Sequence, residues 1–122
     1  LIVTRGEHSY EVGPFVIPGV TPCYQCSQHA RAAADPFHLA HLRELESWPL
    51  APLALLAHFA AAQRVGQLVM DFVSGALTQS QCAQVATIGE DGSVRVEEVE
   101  PATDCVCGIN GLASSLTRLR RR

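Results

Sequence analysis

Apolar residues in the first part of the chain come in short runs cut by glycine and proline, whereas in the middle they recur with helical spacing. Leu1 to Thr4 reads as a short strand and Gly6 to Ser9 as a turn. Val12 to Ile17 predicts a second strand, at an edge or bulged because Gly13-Pro14 interrupts it, and Pro18-Gly19 stops it. The alanine content from Ser27 to Ala34 favours a short helix. Asp35-Pro36 then predicts a new helix to about Glu46, with Asp as N-cap and Pro at the first helical position. Trp48-Pro49 and Pro52 break the chain into a linker.

The longest periodic stretch predicts a helix from about Pro52 to Ser74 with Gly75 as its C-cap, roughly 35 Å long. In its second half Phe59, Ala62, Val65, Gly66, Val69, Phe72 and Val73 fall on one side. Gln63, Arg64, Gln67, Asp71 and Ser74 take the other. Its first half, with Leu53, Leu55 and Leu56, is apolar nearly all round, which predicts burial within the chain or under a partner. Gln84 to Gly89 and Ser93 to Val99 read as strands joined at Asp91-Gly92, a strong hairpin signal. Leu112 to Arg122 reads as a last helix. The expected class is α+β, with short strands, a long central helix and a C-terminal β-hairpin.

A length of 122 residues suits one domain and a modest core. The opening Leu-Ile-Val, without an initiator Met, reads as a fragment or a processed chain. A formal net charge of -3 provides no basic field to draw the chain to nucleic acid. Arg5, Glu7 and Glu11 interrupt any signal-peptide core. The run from Leu50 to Ala62 contains Pro52 and His58 and is shorter than the roughly 20 residues a bilayer span needs. Five cysteines, an odd number, argue for a reducing compartment, so a cytoplasmic location is expected, with no membrane partner.

Four of those cysteines form two tight doublets, Cys23-Tyr-Gln-Cys26 and Cys105-Val-Cys107. Soft thiolates two or three residues apart can curl round one ion, and a second doublet completes a tetrahedron. Cys23, Cys26, Cys105 and Cys107 are therefore the expected ligands of a structural Zn2+, against the alternatives of two disulfides or free thiols. Four thiolates leave no open position for water or substrate, so such an ion braces the fold and does no chemistry. His29, three residues past Cys26, is a candidate substitute ligand. His38 and His41, one helical turn apart, are either a second metal pair or an exposed helix face, and His58 reads as a hydrogen-bonded core histidine.

Cys82 lacks a neighbouring cation to activate it and reads as structural. Glu97 and Glu98 alternate across a strand, so with Glu90, Asp91 and Glu100 they read as a solvated hairpin and not as an acid–base pair. The arginines at 118 and 120–122 could touch phosphate, but a frayed chain end is the plainer reading.

The order of strand, Pro18-Gly19, TPCYQC, a long helix of the type QRVGQLVMDFVSG, hairpin and DCVCG resembles the back portion of ThiF/MoeB-type enzymes, relatives of ubiquitin-activating enzymes. Within that superfamily, Val12-Gly13-Pro14, Pro18-Gly19, Cys23/Cys26, Asp35-Pro36 and the short Cys105/Cys107 spacing are most similar to the ThiF-like subunit of azole-forming cyclodehydratases of bacteriocin and microcin biosynthesis. The resemblance implies that residues 1–122 form the C-terminal segment of such a ThiF-like domain. It implies a zinc-stabilised subunit that binds the leader of a ribosomal precursor peptide and docks a YcaO-type partner. That partner uses ATP to turn Cys, Ser or Thr into thiazoline or oxazoline rings.

No Gly-x-Gly-x-x-Gly and no Walker-type loop is present, so the nucleotide-binding part of the family is missing and no catalytic residue is expected here. A homodimer is a further expected partnership. Two rival functions stand beside this one. The first is a piece of an active adenylating or sulfur-transfer enzyme with Cys82 as acceptor. The second is a zinc-ribbon nucleic-acid module, which the glutamate-rich hairpin opposes.

Overall fold

A computed structural model describes residues 1–49 and 51–107. The expected helix over residues 112–122, with its arginines, lies outside the described residues. The fold is α+β: a four-stranded antiparallel sheet with helices on both faces. The sheet runs in sequence order, β1 (Val3–Arg5), β2 (Ser9–Val12), β3 (Gln84–Gly89) and β4 (Val94–Glu98). Between β2 and β3 the chain inserts α1 (Tyr24–Ala34), α2 (His38–Ser47), α3 (Leu55–Ser74) and a short α4 (Gln79–Ala83).

Both early strands are displaced from where the apolar pattern puts them: β1 begins and ends slightly later than Leu1 to Thr4, and β2 lies earlier than Val12 to Ile17. β2 ends at Val12, where Gly13 adopts φ +114° and its peptide to Pro14 is cis. The backbone from Gly13 to Phe15 then bonds in two directions: Gly13 N donates to Ile2 O and Pro14 O accepts from Ile2 N on one side, and Phe15 N donates to Cys82 O on the other. A proline in that segment removes a ladder donor, so the pairing stops there instead of continuing to Ile17. The β3–β4 hairpin forms where Asp91-Gly92 predicts it. Gly92 takes φ +76°, and the Asp91 carboxylate accepts from Ser93 N at 2.9 Å.

Alternation along β2 and β3 divides the interior into two cores. Val12 and Ile88 point to one face and pack against Ala61 and Leu68 of α3, with Tyr10, Phe15, Val65 and Leu77 around them. Val85 points to the other face and packs with Val99, Cys26 and Cys105. α3 lies across β2 and β3, ends on Gly75 at φ +74°, and presents Ala57, Ala61 and Leu68 to the sheet. That corrects the expected orientation. Of the side assigned as apolar, Phe59, Val69, Phe72 and Val73 are exposed, and so are Leu55 and Leu56. The sheet takes a narrow stripe whose first two residues are alanines, which allow close approach, with Leu68 filling the space beyond them. His58 is likewise exposed and meets Tyr10 edge-on, with ring centroids 5.4 Å apart.

α2 begins at His38, later than Asp35-Pro36 suggests. Asp35 Oδ1 accepts from Phe37 N in a local turn, so the aspartate caps a turn that precedes the helix. α4 went unpredicted although its signal is in the sequence. Thr78 and Gln81 form a capping box, with Gln81 N donating to Thr78 Oγ1 and Thr78 N donating to Gln81 Oε1.

Candidate metal centre

Each cysteine doublet is set by a local turn. Pro18-Gly19, with Gly19 at φ +76°, folds the chain back so that Val20 N and Thr21 N both donate to Ile17 O. Buried Thr21 locks this turn. Its Oγ1 accepts from Ile17 N at 2.8 Å and donates to Phe15 O at 3.1 Å. The turn delivers Cys23 to the N-cap of α1 and Cys26 to its first turn, so residues i and i+3 share one helix face. The predicted helix from Ser27 therefore starts three residues earlier, inside the doublet. On the other side, Val99 N donates to Ala83 O and Cys105 N to Ala102 O, turning the chain after β4 back over the same sheet face.

The four sulfurs of Cys23, Cys26, Cys105 and Cys107 all lie within 4.8 Å of one another. Cys23 Sγ is 3.8 Å from Cys26 Sγ and 3.4 Å from Cys105 Sγ, and Cys26 Sγ is 3.6 Å from Cys107 Sγ. A disulfide needs about 2.05 Å, so the four sulfurs are not joined in disulfides. Metal–sulfur bonds of about 2.3 Å in a tetrahedron put the sulfurs about 3.8 Å apart. The observed spacing suits that geometry, and Cys26 and Cys105 are buried. The cluster could hold a metal ion with four sulfur ligands, joining parts of the chain 82 residues apart.

Without an ion, the thiols of Cys26 and Cys105 resist ionisation. Burial pushes the Cys26 thiol up, outweighing hydrogen bonds from the backbone of Ala102 and Cys23. At Cys105 the backbone of Cys107 pulls downward, but burial and the neighbouring thiols of Cys23, Cys107 and Cys26 leave it pushed up to about 12. Metal binding must therefore expel protons from this cluster.

The other candidates stay outside. His29 Nδ1 is 3.7 Å from Asp104 Oδ1, at the rim of the cluster and not among its grouped ligands. His38 Nε2 meets Gln28 Oε1 at 2.8 Å, and no second metal-type group that includes it occurs among the described residues. Cys82 is buried in the sheet's surroundings, and desolvation raises its thiol, the reverse of what a nucleophile needs. All of β4 is exposed, so Glu97 and Glu98 stand in solvent.

Sequence reasoning missed a groove beside β1. It holds about 670 Å3 between the outer edge of the sheet and α2. Arg5, Glu11, Arg31, His41, Leu45 and Trp48 are among its walls. At its floor Arg31 Nη1 donates to Glu11 Oε1 at 2.6 Å, and Thr4 Oγ1 donates to Glu11 Oε2 at 3.3 Å. Both partners of the ion pair are about three-quarters buried (24% and 22% exposed), so the pair is shielded and fixes α1 to β2. Glu11, Arg31 and Trp48 are remote from one another in sequence, and no short motif announces them.

Fold and site define a class: a small α+β unit carrying a four-cysteine cluster that could hold a metal ion. No helix among the described residues is long and apolar enough to cross a membrane. In comparisons with known proteins, no family model, curated protein or solved structure matches the chain.

Proposed function

We propose that this chain is the zinc-braced part of a ThiF-like cyclodehydratase subunit, binding the leader of a ribosomal precursor peptide and docking a YcaO-type enzyme in the cytoplasm. The observation that carries the reading is the meeting of Cys23-x-x-Cys26, reached through Pro18-Gly19, with Cys105-x-Cys107 around one tetrahedral space. Zinc is the ion of choice for four thiolates, which it binds without redox chemistry. It would supply rigidity and no reaction step, since the sulfurs close its coordination.

This chain's own residues would act by binding. β1 is an edge strand, and an extended peptide can add to such an edge through main-chain hydrogen bonds. The groove beside it supplies Trp48 and Leu45 for apolar side chains and Arg5 and His41 for acidic or polar ones. Ring formation and ATP use belong to the YcaO-type partner. The buried, inert Cys82 speaks against the rival in which this thiol accepts sulfur or an acyl group.

The test is fluorescence anisotropy of a labelled precursor leader with the zinc-loaded chain, with and without the YcaO-type enzyme. Saturable leader binding that weakens at least ten-fold in Trp48→Ala supports the reading. Absence of binding to both leader and enzyme, with zinc stoichiometric, overturns it.

A further inference from the structure

The four cysteines of the cluster differ in access as well as in position. Cys26 and Cys105 are buried, whereas Cys23 and Cys107 are only partly covered. Each partly covered sulfur has a buried sulfur facing it from the other doublet. Cys23 Sγ lies 3.4 Å from Cys105 Sγ, closer than its helix neighbour Cys26 at 3.8 Å, and Cys107 Sγ lies 3.6 Å from Cys26 Sγ. An accessible thiolate with a resolving cysteine beside it is the arrangement of a redox-sensitive thiol, and the cluster holds two such pairs. A bound metal keeps its coordinating sulfurs as thiolates, the nucleophilic form.

We propose that the cluster is a redox-convertible clasp, in which a hydroperoxide turns the metal-holding thiolates into two disulfides, Cys23–Cys105 and Cys26–Cys107, with loss of the ion. The inference rests on the zinc brace proposed above and is independent of peptide binding and partner docking. In each pair the outer thiolate attacks one peroxide oxygen and the O–O bond breaks. A sulfenic acid is left, and the departing oxygen takes up a proton to become an alcohol or water. The buried thiolate then attacks the sulfenic sulfur, the S–O bond breaks, and hydroxide leaves and becomes water with a second proton. Per pair, two thiolates lose two electrons and one hydroperoxide gains them. Disulfide sulfur carries no charge to hold the ion, so the ion departs as the pairs close.

Each bond requires its sulfurs to approach from 3.4 or 3.6 Å to about 2.05 Å. Residues 102–107 can supply that movement, because they belong to no helix or strand and Val106 is 96% exposed. The choice of partners decides what happens to the fold. Bonds between the doublets join residues 82 and 81 positions apart, so they restrain the unfolded chain as the ion does. A bond within Cys23-x-x-Cys26 would span a single helical turn and let the two doublets part. Oxidation across the cluster therefore releases the metal without opening the fold.

The experiment treats the zinc-loaded 122-residue chain with hydrogen peroxide. Zinc should pass to a chromogenic chelator with about two peroxides consumed per ion. Thiols counted in denaturant should fall from five to one, the survivor being buried Cys82. Peptide mapping should find Cys23 joined to Cys105 and Cys26 to Cys107. The oxidised, metal-free protein should melt within about 5 °C of the zinc form, and dithiothreitol with zinc should restore the starting state. Cys107→Ser, which leaves one cross pair, should still form the Cys23–Cys105 bond. A Cys23–Cys26 bond with a melt as low as that of the chelated, reduced protein overturns the proposal, and so do sulfinic acids in place of disulfides or thiols that survive excess peroxide. Zinc content before oxidation tests the brace separately: a chain that takes up none refutes the brace, and the disulfide map of the same sample still decides the pairing.

Discussion

Stripping the proposed zinc from this chain should cost it a large part of its stability, and the size follows from where the four sulfurs sit. The cluster ties Cys23 to Cys105, 82 residues away. Treated as a cross-link closing a loop of that length, the ion removes about 4.5 kcal/mol of chain entropy from the unfolded state. A chain of this size has a total stability of roughly 6–18 kcal/mol. Removal should also loosen the small core of Val85, Val99, Cys26 and Cys105, two of whose members are ligands.

The melting temperature should fall by roughly 15–20 °C, at about 3–5 °C per kcal/mol for a domain of this length. The assay is a thermal melt followed by circular dichroism, before and after chelation, with metal counted by elemental analysis. Cys26→Ser, which removes the most buried ligand, should reproduce the chelated curve and respond little to further chelator. A native protein without stoichiometric metal, or a shift under about 5 °C on chelation, would falsify the brace.

The pH response should invert with metal content. In the metal-free protein, Cys26 and Cys105 are raised in the folded state, so the stability they contribute is complete below the ordinary thiol range and lost as pH rises from about 9 towards about 12. In the metal-loaded protein protons compete for the thiolates, so stability should instead fall on acidification, and pH-dependent melts of the two forms should cross. Gly13→Ala should cost about 3 kcal/mol or more in denaturant titration, because its Cβ would stand 2.2 Å from Gln84 O at φ +114°; a cost under about 1 kcal/mol would contradict the close approach of these strands. Cys82 should resist alkylation in the native metal-loaded protein, and Cys82→Ala should cost only about 1 kcal/mol; rapid native labelling would mean the site opens and would revive a chemical role for it.

Much of this molecule was legible in its local chemistry. The cysteine doublets declared themselves because thiolates in pairs at short spacing have few other uses, and Asp91-Gly92 and Gly75 marked a turn and a helix end through backbone conformations that glycine reaches cheaply. The strand after Val12 was misjudged because apolar residues continue past a proline that cannot keep the ladder going. Facing α3 correctly was beyond its periodicity. Apolar side chains surround much of that helix, and the choice of Ala57, Ala61 and Leu68 as the inner stripe depends on how closely β2 and β3 let a helix approach. The sequence alone determined which residues could ligate a metal and where the chain must turn, since both follow from side-chain type and neighbours. Only the tertiary structure decided that the two doublets meet, that Glu11 and Arg31 close a groove floor, and that α3 shows solvent its greasier side, because each depends on how elements distant in the chain pack together, as where β2 pairs with β3.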